Sequence, residues 1–270
     1  MTKKIGPEEI REIQMAILDE IVRICKENNL RYYLAYGSLI GAVRHKGYIP
    51  WDDDMDIFLV REDYDKLLSI LKGKEGAKAE WISLIDDTSA DYFYPFSKAV
   101  DNRTEVKMDR HKGSHGIWVD LFPVDGLPKS DFMAKFFVMF CSFLRVVGLA
   151  MDTDFSSKTL SAWTLFYKRF FNILSCIIGK KRVCRFVEWT FHRYSVKDSD
   201  KVAILFSGHK LDAIFKKEVL LQQDVYKFEN REYTGCANYD LYLTQLYGDY
   251  MKLPPEEKRI THNFDAWWKE

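Results

Sequence analysis

The chain has 270 residues, 47% of them hydrophobic and 30% charged, with 40 Lys and Arg balanced against 40 Asp and Glu. This composition excludes a disordered or fibrous chain, and the zero formal charge leaves no basic excess with which to coat nucleic acid. Its five cysteines are scattered and form no CxxC pair, which excludes a disulfide framework and a structural zinc site.

Met1-Thr2-Lys3-Lys4 carries no signal-peptide pattern and leads into a charged helix, so a cytoplasmic, reducing setting is expected. Residues 7–29 read as that helix: Ile10, Ile13, Ile17, Ile21 and Ile24 recur at three- and four-residue steps, and Pro7 suits a first turn. Tyr32 to Tyr36 reads as a short strand, Leu39 to Arg44 as one or two helical turns, and His45 to Pro50 as loop. Asp54 to Val60 alternates and then turns apolar, as a strand does on entering a core. Residues 62–72 follow as a helix that buries Leu67, Leu68 and Leu71, and strands are expected near 81–85, 95–100 and 116–122. This order predicts an α/β (α+β) fold with a mixed sheet at its core.

The character changes near residue 131. Phe132 to Met151 and residues 161–178 are almost wholly apolar and approach bilayer-spanning length. Lys135 and Arg145 interrupt the first stretch, Lys168 and Arg169 the second, and charges in mid-span disfavour a crossing. The two stretches therefore read as a partly buried helical subdomain, or as helices lying on a membrane surface with their cations snorkelling. The chain divides accordingly into a mixed α/β core (1–130), a helical insertion (131–200) and a part that packs back on the core (201–270), with a short helix from Tyr239 to Leu246.

The densest chemical signal is Trp51-Asp52-Asp53-Asp54-Met55-Asp56-Ile57. Four carboxylates in five residues repel one another unless a cation neutralises them. Residues two apart on a strand share a side, so Asp54 and Asp56 aim together, Asp52 can join them, and Asp53 turns away or caps the loop. Hard oxygen donors without His or Cys on that face suit Mg²⁺ or Mn²⁺ rather than zinc. The plainer alternative, a solvated acidic turn, is opposed by Trp51 and by Ile57-Phe58-Leu59-Val60, which anchor the run to a core strand. Asp120 lies inside the apolar run Gly116 to Phe122, where it is either a further ligand or a buried acid neutralised by an arginine. Asp125, after Pro123, reads as a turn residue. Gly37-Ser38, between a strand and a helical turn, offers N–H groups and a hydroxyl to a phosphate, although the dipeptide alone is a weak signal.

Gly37-Ser38, followed by Asp54-x-Asp56 and by Asp120 on a later strand, resembles the nucleotidyltransferase fold of polymerase β-like enzymes. There the Gly-Ser holds nucleotide phosphates and the carboxylates hold metal. The likeness goes further. The run from Tyr36 to Ile57, with Arg44-His45-Lys46-Gly47-Tyr48-Ile49-Pro50 ahead of the acidic cluster, resembles the LicD family of bacterial phosphorylcholine transferases and is similar to fukutin and fukutin-related proteins. Glu62-Asp63-Tyr64, Trp118 to Asp125, and Tyr247 to Pro255 with Arg259 and His262 extend the resemblance. It covers residues 10–125 closely and about 225–262 thinly, and 131–200 matches no motif.

The resemblance implies metal-dependent transfer of a phosphorylated alcohol to a hydroxyl of a cell-surface glycan, a teichoic acid precursor or a lipid-linked glycan. The donor would be CDP-choline or another CDP-alcohol, the product CMP, and the cofactor Mg²⁺ or Mn²⁺. Asp54, Asp56 and Asp120 would hold the metal, with Asp120 also taking the proton of the attacking hydroxyl. Gly37, Ser38, Arg44, Lys46 and Arg103 are candidate phosphate contacts, and Asp249 is a further candidate. Tyr36, Tyr48, Tyr94, Trp51 and Trp118 are candidates for an aromatic cage around a choline cation. His45, His111, His115 and His262 are weaker candidates, since a lone histidine is usually structural. The setting would be cytoplasmic, with peripheral contact to the inner face of the plasma membrane through 131–180. Two other readings stay open: a nucleotidyltransferase that moves NMP to a small acceptor, and a non-catalytic, membrane-associated relative. The intact carboxylates argue against the latter.

Overall fold

A two-residue strand, β1 (Lys4–Ile5), precedes helix α1 (Pro7–Glu27), whose five spaced isoleucines are all buried. Next come β2 (Tyr32–Leu34), α2 (Tyr36–Ile40) continued by a π-helical turn over Gly41–His45, β3 (Asp56–Val60) and α3 (Arg61–Leu71). Four strands follow: β4 (Ile82–Ile85), β5 (Ser97–Asp101), β6 (Thr104–Met108) and β7 (Trp118–Gly126). Three helices then run consecutively: α4 (Asp131–Asp152), α5 (Ala162–Ile178) and α6 (Lys180–Phe191). The chain ends with β8 (Lys201–Ala203), β9 (Ile214–Lys216), α7 (Lys217–Leu220), β10 (Gln223–Phe228), β11 (Arg231–Cys236), α8 (Tyr239–Tyr247) and β12 (Phe264–Trp268). This computed structural model describes residues 3–73, 78–86, 88–89, 92–108, 115–153, 155, 162–259 and 264–270.

The main sheet is mixed, in the order β10-β11-β2-β3-β7-β5-β4, with β8 and β9 attached at the far end of β7. Strands β3 and β7 are parallel neighbours at its centre, and β2 and β5 flank them antiparallel. A second sheet, β1-β12-β6, ties the two chain ends together. The larger core lies between the sheet, α1 and α3, and includes Ile17, Leu18, Phe58, Leu67 and Leu121. A separate apolar cluster joins α4 and α6 to the 203–206 segment through Val138, Cys141, Leu144, Phe191 and Phe206.

Several features depart from the sequence reading. Strand β7 does not stop at Pro123 but runs on to Gly126. Its pairing with β5 ends at Leu121, so the missing N–H of Pro123 interrupts no β5 ladder. Asp125 is consequently no turn residue: it is fully buried and takes a bidentate ion pair from Arg61 at 2.6 and 2.7 Å. The hairpin β10–β11 and helix α6 have no counterpart in the sequence reading, because both are rich in charge and lack an apolar run.

Candidate active site

The register of the central pair creates the site. Asp56 on β3 lies directly beside Asp120 on β7, so their carboxylates share one face near the N-terminal ends of these two central strands. Asp54 completes the group: the three residues offer carboxylate oxygens within 4.8 Å of one another. Asp52, Asp53 and Asp54 form a second such group further out. Asp56 and Asp120 are buried. Burial, and then the charges of Asp54, Asp120 and Asp52, push the Asp56 carboxyl well above the usual carboxylate range, with Lys98 pulling the other way. Such a concentration of oxygen donors fits a hard divalent cation.

Asp120 is held on both oxygens. Lys98, its cross-strand partner on β5, donates to Oδ1 at 2.6 Å, and the Trp118 indole donates to Oδ2 at 3.0 Å. Asp125, like Asp101, is a buried acid paired with an arginine, while Asp120 has a lysine. Lys98 also lies 4.5 Å from the centre of the Trp118 ring.

Gly37 lines the cleft above these carboxylates. A Cβ at this position would sit 2.6 Å from Asp52 Oδ2, so any larger residue would have to push that carboxylate aside. Ser38 lies behind it, where its Oγ accepts the Asp56 N–H at 2.8 Å and locks α2 to β3. The acidic loop is fixed from the other side by α1. Arg11 donates to the carbonyls of Ile49, Pro50 and Asp52, and the fully buried Gln14 donates to that of Asp53.

The carboxylates form the floor of a cleft of about 700 Å³. One wall is aromatic, made of Tyr36, Tyr92, Tyr94, Phe96, Phe122 and Phe206. Tyr94, Phe96 and Phe206 pack on one another with centroids 5.4–5.8 Å apart. His115, His209 and Tyr247 also face the cavity. From α4 come Leu149 and Arg145. The Arg145 Nε is buried without a hydrogen-bond partner among the described residues, and its guanidinium lies 5.5 Å from the Phe206 ring. Burial lowers its pKa, yet a guanidinium does not give up its proton, so this half-buried side chain keeps its charge beside the cleft.

Of the residues singled out from sequence, Gly37, Asp52, Asp54, Asp56, Asp120, Trp118, Tyr36, Tyr94 and His115 line the cleft. The structure takes others elsewhere. Arg44 donates to the Tyr250 carbonyl and to His45. Lys46 caps the π-helical turn in a left-handed conformation and accepts the Glu229 N–H. Trp51 stacks beneath Arg259 at 4.5 Å. Arg103 is paired with the buried Asp101, over Trp81 and Trp268. Asp249 supplies its carbonyl to a turn through Lys252. Tyr48 packs against α1 through Gln14 and Arg11. His111 and His262 lie outside the described residues. Sequence reasoning missed Lys98, Arg145, His209, Arg11 and Gln14. Two of them left a signal: Lys98 is a lone cation in a buried strand, and Arg145 a lone cation in an apolar stretch, a pattern that marks function as readily as it argues against crossing.

Residues 29–140 match the family model described as LicD/FKTN/FKRP, nucleotidyltransferase domain, and this segment contains Gly37, Asp54, Asp56, Lys98 and Asp120. The chain carries a LicD-family domain. Beyond the domain, the whole chain is similar to the lipopolysaccharide cholinephosphotransferase LicD of Haemophilus influenzae, 28% identical over 263 residues that cover 97% of each chain. It is also similar to the human ribitol 5-phosphate transferase FKRP, 30% identical over 115 residues, which are 43% of this chain and 20% of that protein. Arg145 lies just beyond the LicD-family match, on the helix that the match enters.

Proposed function

We propose that the chain transfers a phosphorylated alcohol from a CDP-linked donor to a hydroxyl of a cell-surface glycan, with CMP as the second product and choline as the leading alcohol. The observation that carries this reading is the three-carboxylate floor of Asp54, Asp56 and Asp120 inside a LicD-family domain. The named relatives, which transfer choline phosphate and ribitol phosphate, support the reaction class. The same reading gives the mixed sheet a nucleotidyltransferase fold.

Asp54, Asp56 and Asp120 would hold Mg²⁺ or Mn²⁺. When bound, the cation supplies positive charge to the diphosphate and to the departing CMP. The chain's own groups do the rest. Lys98 and Trp118 fix the Asp120 carboxylate, so its position is set before substrate arrives. Arg145 meets an anionic oxygen of the donor, which gives its half-buried guanidinium a counter-charge. Tyr92, Tyr94 and Phe96 receive the alcohol, and ring faces suit a quaternary ammonium that cannot donate hydrogen bonds. A cleft carboxylate takes the acceptor proton.

The test is to incubate the purified chain with Mg²⁺ and a panel of CDP-alcohols and to measure CMP release, with nucleoside triphosphates and pyrophosphate release as the comparison. Release of CMP from one CDP-alcohol is expected, and its identity names the alcohol. Pyrophosphate release from a triphosphate, with no binding of any CDP-alcohol, would replace this reading with NMP transfer.

A further inference from the structure

Helices α4, α5 and α6 expose many large apolar side chains. On α4, Ala134, Val138, Cys141 and Leu144 turn inward, while Phe132, Phe136, Met139, Phe140 and Phe143 point outward. On α5 the outward set includes Trp163, Phe166, Phe170, Ile173 and Ile177, and on α6 it includes Phe186 and Trp189. Phe132 is 76% exposed and Ile177 77%. So many exposed large apolar side chains on three mutually packed helices mark an interaction surface. An apolar crevice of about 270 Å³ lies between the three helices, walled by Phe143, Phe171, Leu174, Val183 and Phe186, with Arg182 beside them.

The charge on this face identifies the occupant. Between residues 162 and 193 the chain carries Lys168, Arg169, Lys180, Lys181, Arg182, Arg185 and Arg193 against Glu188 alone, although its total charge is zero; of these, Lys180 and Lys181 turn to the Met151 and Ser89 carbonyls and the Phe93 ring. Arg169, Arg182 and Arg185 are exposed and have no carboxylate partner among the described residues. Gly179, in the left-handed region at φ 97°, turns the chain between α5 and α6 and so brings the cations of α6 beside the aromatic side chains of α5. Aromatic rings interleaved with unpaired cations match a bilayer interface with anionic headgroups. A second copy of the chain fits less well, because a two-fold contact would set this basic face against itself.

We infer that the α4–α6 face docks on an anionic lipid bilayer, with its helices in the interface and an acyl chain end in the crevice. Helix α4 is long and apolar enough to cross a membrane. Its inward face, however, packs on the second core and carries Arg145 into the cleft, so it lies on the surface rather than spanning. The same helix therefore has lipid on one side and the cleft on the other. This brings the catalytic floor to the inner membrane face, where a lipid-linked acceptor would be met.

The test uses the full chain and vesicles of phosphatidylcholine, alone or mixed with phosphatidylglycerol, in a co-sedimentation assay at low and high salt. Binding to the mixed vesicles, weakened by salt, is expected. Phe166→Glu with Ile177→Glu should abolish it while the circular dichroism spectrum is unchanged. Arg182→Ala with Arg185→Ala should weaken it about thirtyfold, from the worth of two basic residues at an anionic surface. The inference is overturned by absence of binding, by equal binding to neutral vesicles, or by full binding of the double glutamate variant. A dimer seen by light scattering and lost in that variant would also overturn it, in favour of a second copy. None of these readouts depends on turnover, so the result stands apart from the CMP assay.

Discussion

Asp56 occupies a position that a folded chain tolerates poorly without a counter-charge: it is buried, beside Asp54 and Asp120, with Lys98 as the opposing cation. Replacing its charge with an amide removes that repulsion and removes a cation ligand together. Asp54→Asn and Asp56→Asn should therefore abolish CMP release, leave the fold intact and melt no earlier than the parent without metal. Mg²⁺ should raise the parent's melting temperature and leave that of the variants unmoved. A variant that keeps near-normal turnover would sink the metal assignment. Arg145 makes the complementary case. Arg145→Met should lower kcat/KM by about a hundredfold, the size of losing one preorganised donor to a reacting anion. Burial first, and the Arg145 charge in addition, push the His209 imidazole below its ordinary value, so the folded form binds its proton less readily than the unfolded chain. Stability held at neutral pH is then lost as pH falls through the unfolded histidine range, about 6.5. The Met variant should move the His209 titration upward in an NMR series. An unmoved titration together with unchanged kinetics would show that Arg145 does not face the cleft in solution.

At the scale of elements, the pairing of β3 with β7 decides the site, and one ion pair pins the far end of that pairing. Arg61, the first residue of α3, is buried against Asp125 on β7. Despite its burial, the Asp125 charge and hydrogen bond drive the Arg61 pKa up. Arg61→Met alone leaves a buried carboxylate unpaired and should cost about 3–5 kcal/mol in urea unfolding. Arg61→Met with Asp125→Leu should recover most of that loss. If the single and double variants are equally unstable, the pair is not the pin. The sequence shows why the site is legible and this pin is not. Asp54-x-Asp56 declares its face through strand alternation, and the apolar run around Asp120 declares a neighbouring strand. The partner of a buried acid lies far away in the chain, 64 residues in the case of Arg61 and Asp125, and no local pattern names it. For the same reason the sequence leaves Asp120 open to an arginine partner, and only the register brings Lys98 to it. Arg44, Lys46 and Arg103 stand near the motif in sequence, yet the Arg44 and Arg103 side chains serve the Tyr250 carbonyl and Asp101, and Lys46 shapes a turn through its backbone. Proximity along the chain is a weak guide where a π-helical turn and a hairpin redirect successive residues.

For the molecule as a whole, the chain leaves the sheet and returns to it at nearly one point. Gly126 pairs with Val202 across β7 and β8, and the Leu127 N–H donates to the Lys201 carbonyl at 3.0 Å. Everything between is an excursion whose apolar cluster is separate from the main core, apart from Val196. Joining Pro128 to Asp200 through a short glycine-containing turn should therefore yield a chain that keeps the large core and its carboxylate floor. That chain loses Arg145 and Leu149 from the cleft wall and bares Leu205 and Phe206, so a drop in solubility and about 1–3 kcal/mol of destabilisation are expected. Thermal melting with and without Mg²⁺ reads the first property, since a cation-dependent rise in melting temperature needs only Asp54, Asp56 and Asp120. Donor turnover and vesicle binding read the second, and both should vanish. The pattern separates what each part does: the sheet arranges the acids, and the helices close the cleft and meet the membrane. A truncated chain that fails to fold would show that the two clusters unfold as one cooperative unit, and the helices would then have to be counted as part of the catalytic core.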